Sequence, residues 1–148
     1  MKNLPRTFRY DMIIFVQDED RGSIHTHFIE ALRLRRNRGF VTRDDFLPGV
    51  AQVEAMAECI SVCRYIVPVL TANFVSDPVC VDFVNRVQFS RPHALIPVVW
   101  ERPLDVSDVS VAELLRTGDP LYWPGDLSNP ENKQDFWLSL LERTTPRQ

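Results

Sequence analysis

Five apolar residues in an unbroken row, Met12-Ile13-Ile14-Phe15-Val16, set the strongest limit on what this chain can fold into. A strand with one wet face alternates apolar and polar residues. An unbroken run needs cover on both faces, as a parallel strand has inside an α/β sheet. Tyr10 opens the run, and the polar stretch Gln17 to Gly22 closes it. Ser23 is of the helix N-cap type. After it Ile24, Phe28, Ala31 and Leu32 recur at helical spacing, and Gly39 ends the stretch in the manner of a C-cap.

The same alternation repeats along the chain. Phe40 to Thr42 reads as a very short second strand, and Val50, Val53, Met56, Ala57 and Ile60 as a second helical stripe. Tyr65 to Leu70 is a third strand. Its Pro68 removes a ladder donor, so an edge or bulged position is expected. Ser76-Asp77-Pro78 opens a third helix carrying Val79, Phe83, Val84 and Val87, and Ala94 to Trp100 is a fourth strand interrupted by Pro97. Glu101 to Asn132 is rich in proline, aspartate and serine, with a short helix around Val111 to Leu115. Asp135 to Glu142 forms a last helix with Phe136, Trp137, Leu140 and Leu141 on its apolar side. The order predicts an α/β domain with a central parallel sheet and helices on both faces. Functional loops of such sheets gather at the carboxyl ends of the strands. The loops Gln17 to Gly22 and Arg43 to Gly49 are therefore expected as neighbours.

A chain of 148 residues suits one domain. The folded part is expected over residues 8–143, with flexible ends at 1–7 and 144–148. A net charge of −3 argues against a broad nucleic-acid footprint, which needs clustered positive charge. Arg33, Arg35, Arg36 and Arg38 form one basic run, read as the solvated C-terminal end of a helix. Cys59, Cys63 and Cys80 contain no CxxC pair and read as buried, reduced thiols. His25, His27 and His93 do not complete a metal set with them. No apolar stretch is long enough to span a membrane. The expectation is a cytoplasmic domain with no direct membrane insertion, either free or the cytosolic part of a membrane-anchored protein.

The segment Arg43-Asp44-Asp45-Phe46-Leu47-Pro48-Gly49 sets apolar Phe46 and Leu47 among charged residues, on a backbone that Pro48 stiffens and Gly49 lets turn. Two uses fit. The hydrophobes fold back as a core anchor, or they face a docking partner.

Three motifs resemble the boxes of the Toll/interleukin-1 receptor (TIR) domain family. Tyr10-Asp11 followed by the apolar strand matches the first, Arg43-Asp44…Pro48-Gly49 the second, and Phe136-Trp137 the third. Pro68 to Val75 looks like the family's third strand and the segment leaving it. The resemblance implies a flavodoxin-like fold with five parallel strands. It also implies that residues 43–49, the family's BB loop, are an assembly surface for other TIR domains. Asp44, Phe46, Leu47, Pro48 and Gly49 would then make the contact while Arg43 and Asp45 brace the loop. A role in innate immune signalling, as receptor or adaptor, is implied with it.

Some members of that family cleave NAD⁺. A glutamate on the helix after the third strand serves the ribose, a few residues past a Trp-Cys pair. Carboxylates do comparable work at the oxocarbenium-like transition state of glycoside cleavage. The matching stretch here is Asp77-Pro78-Val79-Cys80-Val81-Asp82-Phe83. Phe83 falls at the glutamate place and Val79 at the tryptophan place. Asp82 is the alternative carboxylate, but one helical position turns it by about 100°. The expectation is a scaffold with no cofactor, and NAD⁺ as a substrate only if Asp82 serves. Asp18, Glu19 and Asp20 form an acidic loop without the later-strand aspartate and lysine that a phospho-acceptor site needs. Trp100, Tyr122 and Trp123 read as packing residues.

Overall fold

Five parallel strands in the order β2-β1-β3-β4-β5 form the middle layer of the fold. They are β1 (Tyr10–Phe15), β2 (Phe40–Thr42), β3 (Cys63–Leu70), β4 (Val98–Val99) and β5 (Leu121–Tyr122). A computed structural model describes residues 8–35, 40–42, 52–125 and 129–144. The helices are α1 (Arg21–Ile24), continued through a π-helical stretch (His25–Ile29) into α2 (Glu30–Arg35), then α3 (Gln52–Val62), α4 (Ala72–Ser76), α5 (Pro78–Ser90), α6 (Val109–Thr117) and α7 (Pro130–Thr144).

The unbroken run in β1 is covered on both faces. Ile13 and Phe15 pack with Ile66, Leu70, Phe83, Val84 and Val87 on the side of α3, α5 and α6. Met12 and Ile14 pack with Phe28, Leu32, Val67, Val98, Phe136 and Trp137 on the side of α1, α2 and α7. Two separate apolar cores thus sandwich one sheet, and strand residues alternate between them.

Four expectations change. Pro68 lies in β3, the central strand, not at an edge. The bridge Ile66↔Leu95 and the pair Val69↔Val98 share one register, which sets Pro68 opposite Pro97. Across this pair Ile96 and Trp100 donate to Ile66 O and Leu70 O, whereas Pro97 O accepts from the Leu121 amide, so the backbone of Pro97 turns to β5 and does not match the donor that Pro68 lacks. Ser23 is not a cap. A 3-10 turn at Asp18–Asp20 starts the helix early, with Gln17 Oε1 accepting from the Glu19 amide at 2.6 Å. Ala57 is exposed, and the buried stripe of α3 is Ala55, Met56 and Cys59. The fourth strand shortens to Val98–Val99, because Pro92–Ala94 forms a 3-10 turn ahead of it.

Local chemistry explains the ends of several elements. Thr71 Oγ1 accepts from the Phe74 amide and caps α4. Asp77 Oδ1 accepts from the Val79 amide and, with Pro78 in the first turn, starts α5. α6 stops at Gly118, whose amide donates to Leu114 O at 2.7 Å; a Cβ at Gly118 would lie 2.5 Å from that oxygen.

Candidate functional site

The carboxyl ends of β1, β3 and β4 carry a polar network that the sequence did not announce. Gln17 is buried just past β1, and its Nε2 donates to Asp77 Oδ2 at 3.2 Å. Asp20 accepts from Thr71 Oγ1 through Oδ2, and from Asn73 Nδ2 through Oδ1 at 2.9 Å. Glu101, just past β4, reaches back so that Oε1 accepts from the Ala72 amide at 2.6 Å. The first turn of α4 is thus held by a hydroxyl and two carboxylates, as suits its exposed amide donors. Asp18 pairs with Arg21 at 3.0 Å. Asp18 stays exposed in its surface pair with Arg21, while Asp20 is spent on Thr71 and Asn73. The readable signals were Thr71 ahead of a helix and Asp77 ahead of Pro78. The reach of Asp20 and Glu101 across loops has no sequence periodicity to reveal it.

The candidate interface residues Arg43, Asp44, Asp45, Phe46, Leu47, Pro48 and Gly49 all lie outside the described residues. Their flanks are placed. Thr42 ends β2, which among the described residues is an outer strand paired to β1, and Gln52 opens α3.

Phe83 and Asp82 have opposite surroundings. Phe83 is fully buried, and its ring stacks on Phe15 with centroids 4.0 Å apart and planes 14° apart. Phe74 meets Phe15 edge-on at 6.1 Å. A ring in this stack leaves no room for a carboxylate at the place where the resemblance locates a catalytic glutamate. Asp82 is exposed on the outer side of α5, and its Oδ2 accepts from Arg86 Nε at 2.7 Å. It is an i,i+4 surface pair, and it does not share Phe83's direction.

Cys59, Cys63 and Cys80 are buried free thiols. Burial pushes Cys59 up to about 12, helped by the nearby Cys63 and Glu58. Burial also pushes Cys63 up to about 12, against the opposing pull of Arg91. Both stay protonated at neutral pH, and a protonated thiol is a poor nucleophile or metal ligand. Among the described residues no group of three or more His, Cys, Asp and Glu side chains is placed to hold a metal ion. Also among them, no helix is long and apolar enough to cross a membrane.

The aromatic residues near the end of the chain are packing residues, as expected. Trp100 stacks on Trp123 at 4.6 Å, and Phe136 and Trp137 close round Phe28 at 6.0 and 5.2 Å. Arg102 covers the exposed ring of Tyr122 at 4.7 Å.

A family model described as the TIR domain matches residues 9–101. No curated protein gives a significant match. Among solved structures, the TIR domain of the Toll-related receptor TRR-2 from Hydra magnipapillata is similar, with 20% identity and a TM-score of 0.70. That match covers 91% of this chain and 98% of the Hydra chain. The TIR domains of the activated Roq1 resistosome, which directly recognizes the pathogen effector XopQ, are similar at 12% identity and a TM-score of 0.53. There, 91% of this chain and 83% of the other are covered.

Proposed function

The chain belongs to the TIR domain family, and from that premise we propose that it is a signalling scaffold. It works by assembling with other TIR domains in innate immune signal transduction. The contact runs through Arg43–Gly49. Phe46 and Leu47 supply the apolar anchors, Pro48 limits the loop's freedom before binding, and Asp44 adds polarity. Arg43 and Asp45 brace the loop from within. A loop that docks on a different surface of the next copy makes an open, repeating contact.

One observation carries the preference for scaffold over enzyme. Phe83 is sealed in the core against Phe15 at the position matching the glutamate of NAD⁺-cleaving members. Asp82 lies on the exposed side and is engaged by Arg86.

The test is incubation of the purified domain with NAD⁺ at high concentration under crowding. Nicotinamide is followed by chromatography and assembly by light scattering in the same sample. Assembly without nicotinamide is expected, and it should weaken in Pro48→His and in the Phe46→Ala/Leu47→Ala chain while their melting curves stay cooperative. Nicotinamide release that disappears in Asp82→Ala would overturn the scaffold assignment.

A further inference from the structure

α3 passes into β3 with no connecting residue: Val62 ends the helix and Cys63 begins the strand. The last carbonyls of a helix have no donors within it. Here they are met from two distant parts of the chain. Arg9, just ahead of β1, donates its amide to Val62 O at 2.9 Å. Arg91 reaches in from the end of α5 and donates through Nη1 to Ile60 O and Cys63 O, and through Nη2 to Arg64 O. Arg91 is itself anchored, since its amide donates to Val87 O at 2.7 Å.

Phe8 covers that guanidinium. Its ring centroid lies 4.6 Å from Cζ of Arg91 and 5.0 Å from Cζ of Arg64. A ring over a cation attracts it and keeps water off its N–H groups, and hydrogen bonds shielded from water are the stronger ones. Phe8 is half-buried and belongs to no helix or strand. It can therefore lift while the sheet stays paired. The junction beneath it hides two nucleophiles that the proposed function does not use. Cys59 lies in the last turn of α3 and Cys63 opens β3, and both are buried. The third thiol, Cys80, is equally buried, but it lies in the first turn of α5, at the opposite end of that helix from Arg91.

We propose that Phe8 is a latch on the α3–β3 junction and that Cys59 and Cys63 are a latent modification site for soft electrophiles. While Phe8 sits on Arg91 the two thiols are closed. When it lifts, water competes for the guanidinium, the last turn of α3 loosens and both sulfurs become reachable. A group added to either sulfur has no space in the packed core, so the junction cannot reclose and a brief release becomes lasting. The latch does not depend on the loop at residues 43–49.

The experiment follows alkylation of each cysteine by iodoacetamide under native conditions, with mass spectrometry resolving the three sites. Each event forms one S–C bond, expels iodide and leaves the thiol proton to the buffer. Cys80 is the internal control, because global unfolding exposes all three thiols and release of the latch exposes two. Phe8→Ala should speed the labelling of Cys59 and Cys63 by about tenfold and leave Cys80 at the wild-type rate. Phe8→Trp keeps an aromatic face for the cations and should return both to near the wild-type rate. Arg91→Lys keeps the charge but lacks the fork, so it should show the same selective acceleration and decides the matter if Phe8→Ala does not fold. The proposal is overturned if Cys59 and Cys63 react no faster in either variant, if Cys80 accelerates with them, or if Phe8→Trp reacts as fast as Phe8→Ala.

Discussion

At Phe83 one residue type carries two consequences, for stability and for chemistry. Its ring fills the space between Phe15 and the buried face of α5. Phe83→Ala should cost about 3–5 kcal/mol by urea denaturation, the range for removing a buried phenyl. Phe83→Glu is the sharper test. It restores the residue type of NAD⁺-cleaving relatives, yet it buries a carboxylate among Phe15, Val84 and Val87 without a partner. The expected outcome is loss of several kcal/mol and no nicotinamide. A stable, active Phe83→Glu chain would mean that the site needs only its acid. The cysteines give a pH dependence of definite sign. Both thiols titrate near 12 when folded and near 9.0 in their ordinary state. Below pH 9 both states hold their protons and the contribution is complete. Above it the unfolded chain ionises first, so stability falls by about 1 kcal/mol per thiol for each pH unit toward 12. The Cys59→Ala/Cys63→Ala chain should show a shallower decline of melting temperature between pH 8.5 and 10.5. Parallel slopes would contradict the assignment. Phe83 could be placed from the sequence because its position follows from Asp77-Pro78 and helical counting. Asp20 and Glu101 could not, because side chains that cross from one loop to another leave no period in the sequence.

Among the elements, the junction of α3 and β3 depends on a residue far along the chain. Arg91, just past α5, donates through Nη1 to Ile60 O at 2.5 Å and Cys63 O at 2.7 Å, and through Nη2 to Arg64 O at 2.7 Å. These carbonyls belong to the last turn of α3 and the first residues of β3, where a helix end lacks internal donors. Arg64 and Arg91 also lie over the Phe8 ring at 5.0 and 4.6 Å. Arg91→Ala should cost about 2–3 kcal/mol, since charged donors to part-buried carbonyls leave those acceptors unsatisfied. Arg91→Lys should recover only part, because a single ammonium lacks the planar fork. Denaturation curves measure both, and a full rescue by lysine would show that charge alone matters. The strand–helix alternation was legible because both apolar cores print a pattern on the strands and helices that line them. β5 was not read from the residues, because Leu121 and Tyr122 are too few to show a period. It forms because the Leu121 amide finds Pro97 O and the Trp123 amide finds Val99 O, each at 2.9 Å. α4 was missed for the same reason of length. Pro68 was expected at an edge or a bulge because a proline removes one ladder donor, and no local signal marks its strand as the central one.

For the whole molecule, the proposed contact through residues 43–49 has a property that a closed dimer lacks. If the loop of one copy docks on a different surface of the next, each molecule has one donor end and one acceptor end, and growth stops only when an end is blocked. A chain carrying Phe46→Ala and Leu47→Ala loses the donor end and keeps the acceptor surface. Mixed into wild-type protein, it should occupy a growing end and add nothing beyond itself. About one mutant in ten molecules should then shorten the mean assembly to roughly ten copies, a far larger effect than dilution by one tenth. Light scattering against mutant fraction measures this directly. A steep, hyperbolic fall identifies the open contact, whereas a linear fall in proportion to the mutant fraction identifies a closed pair.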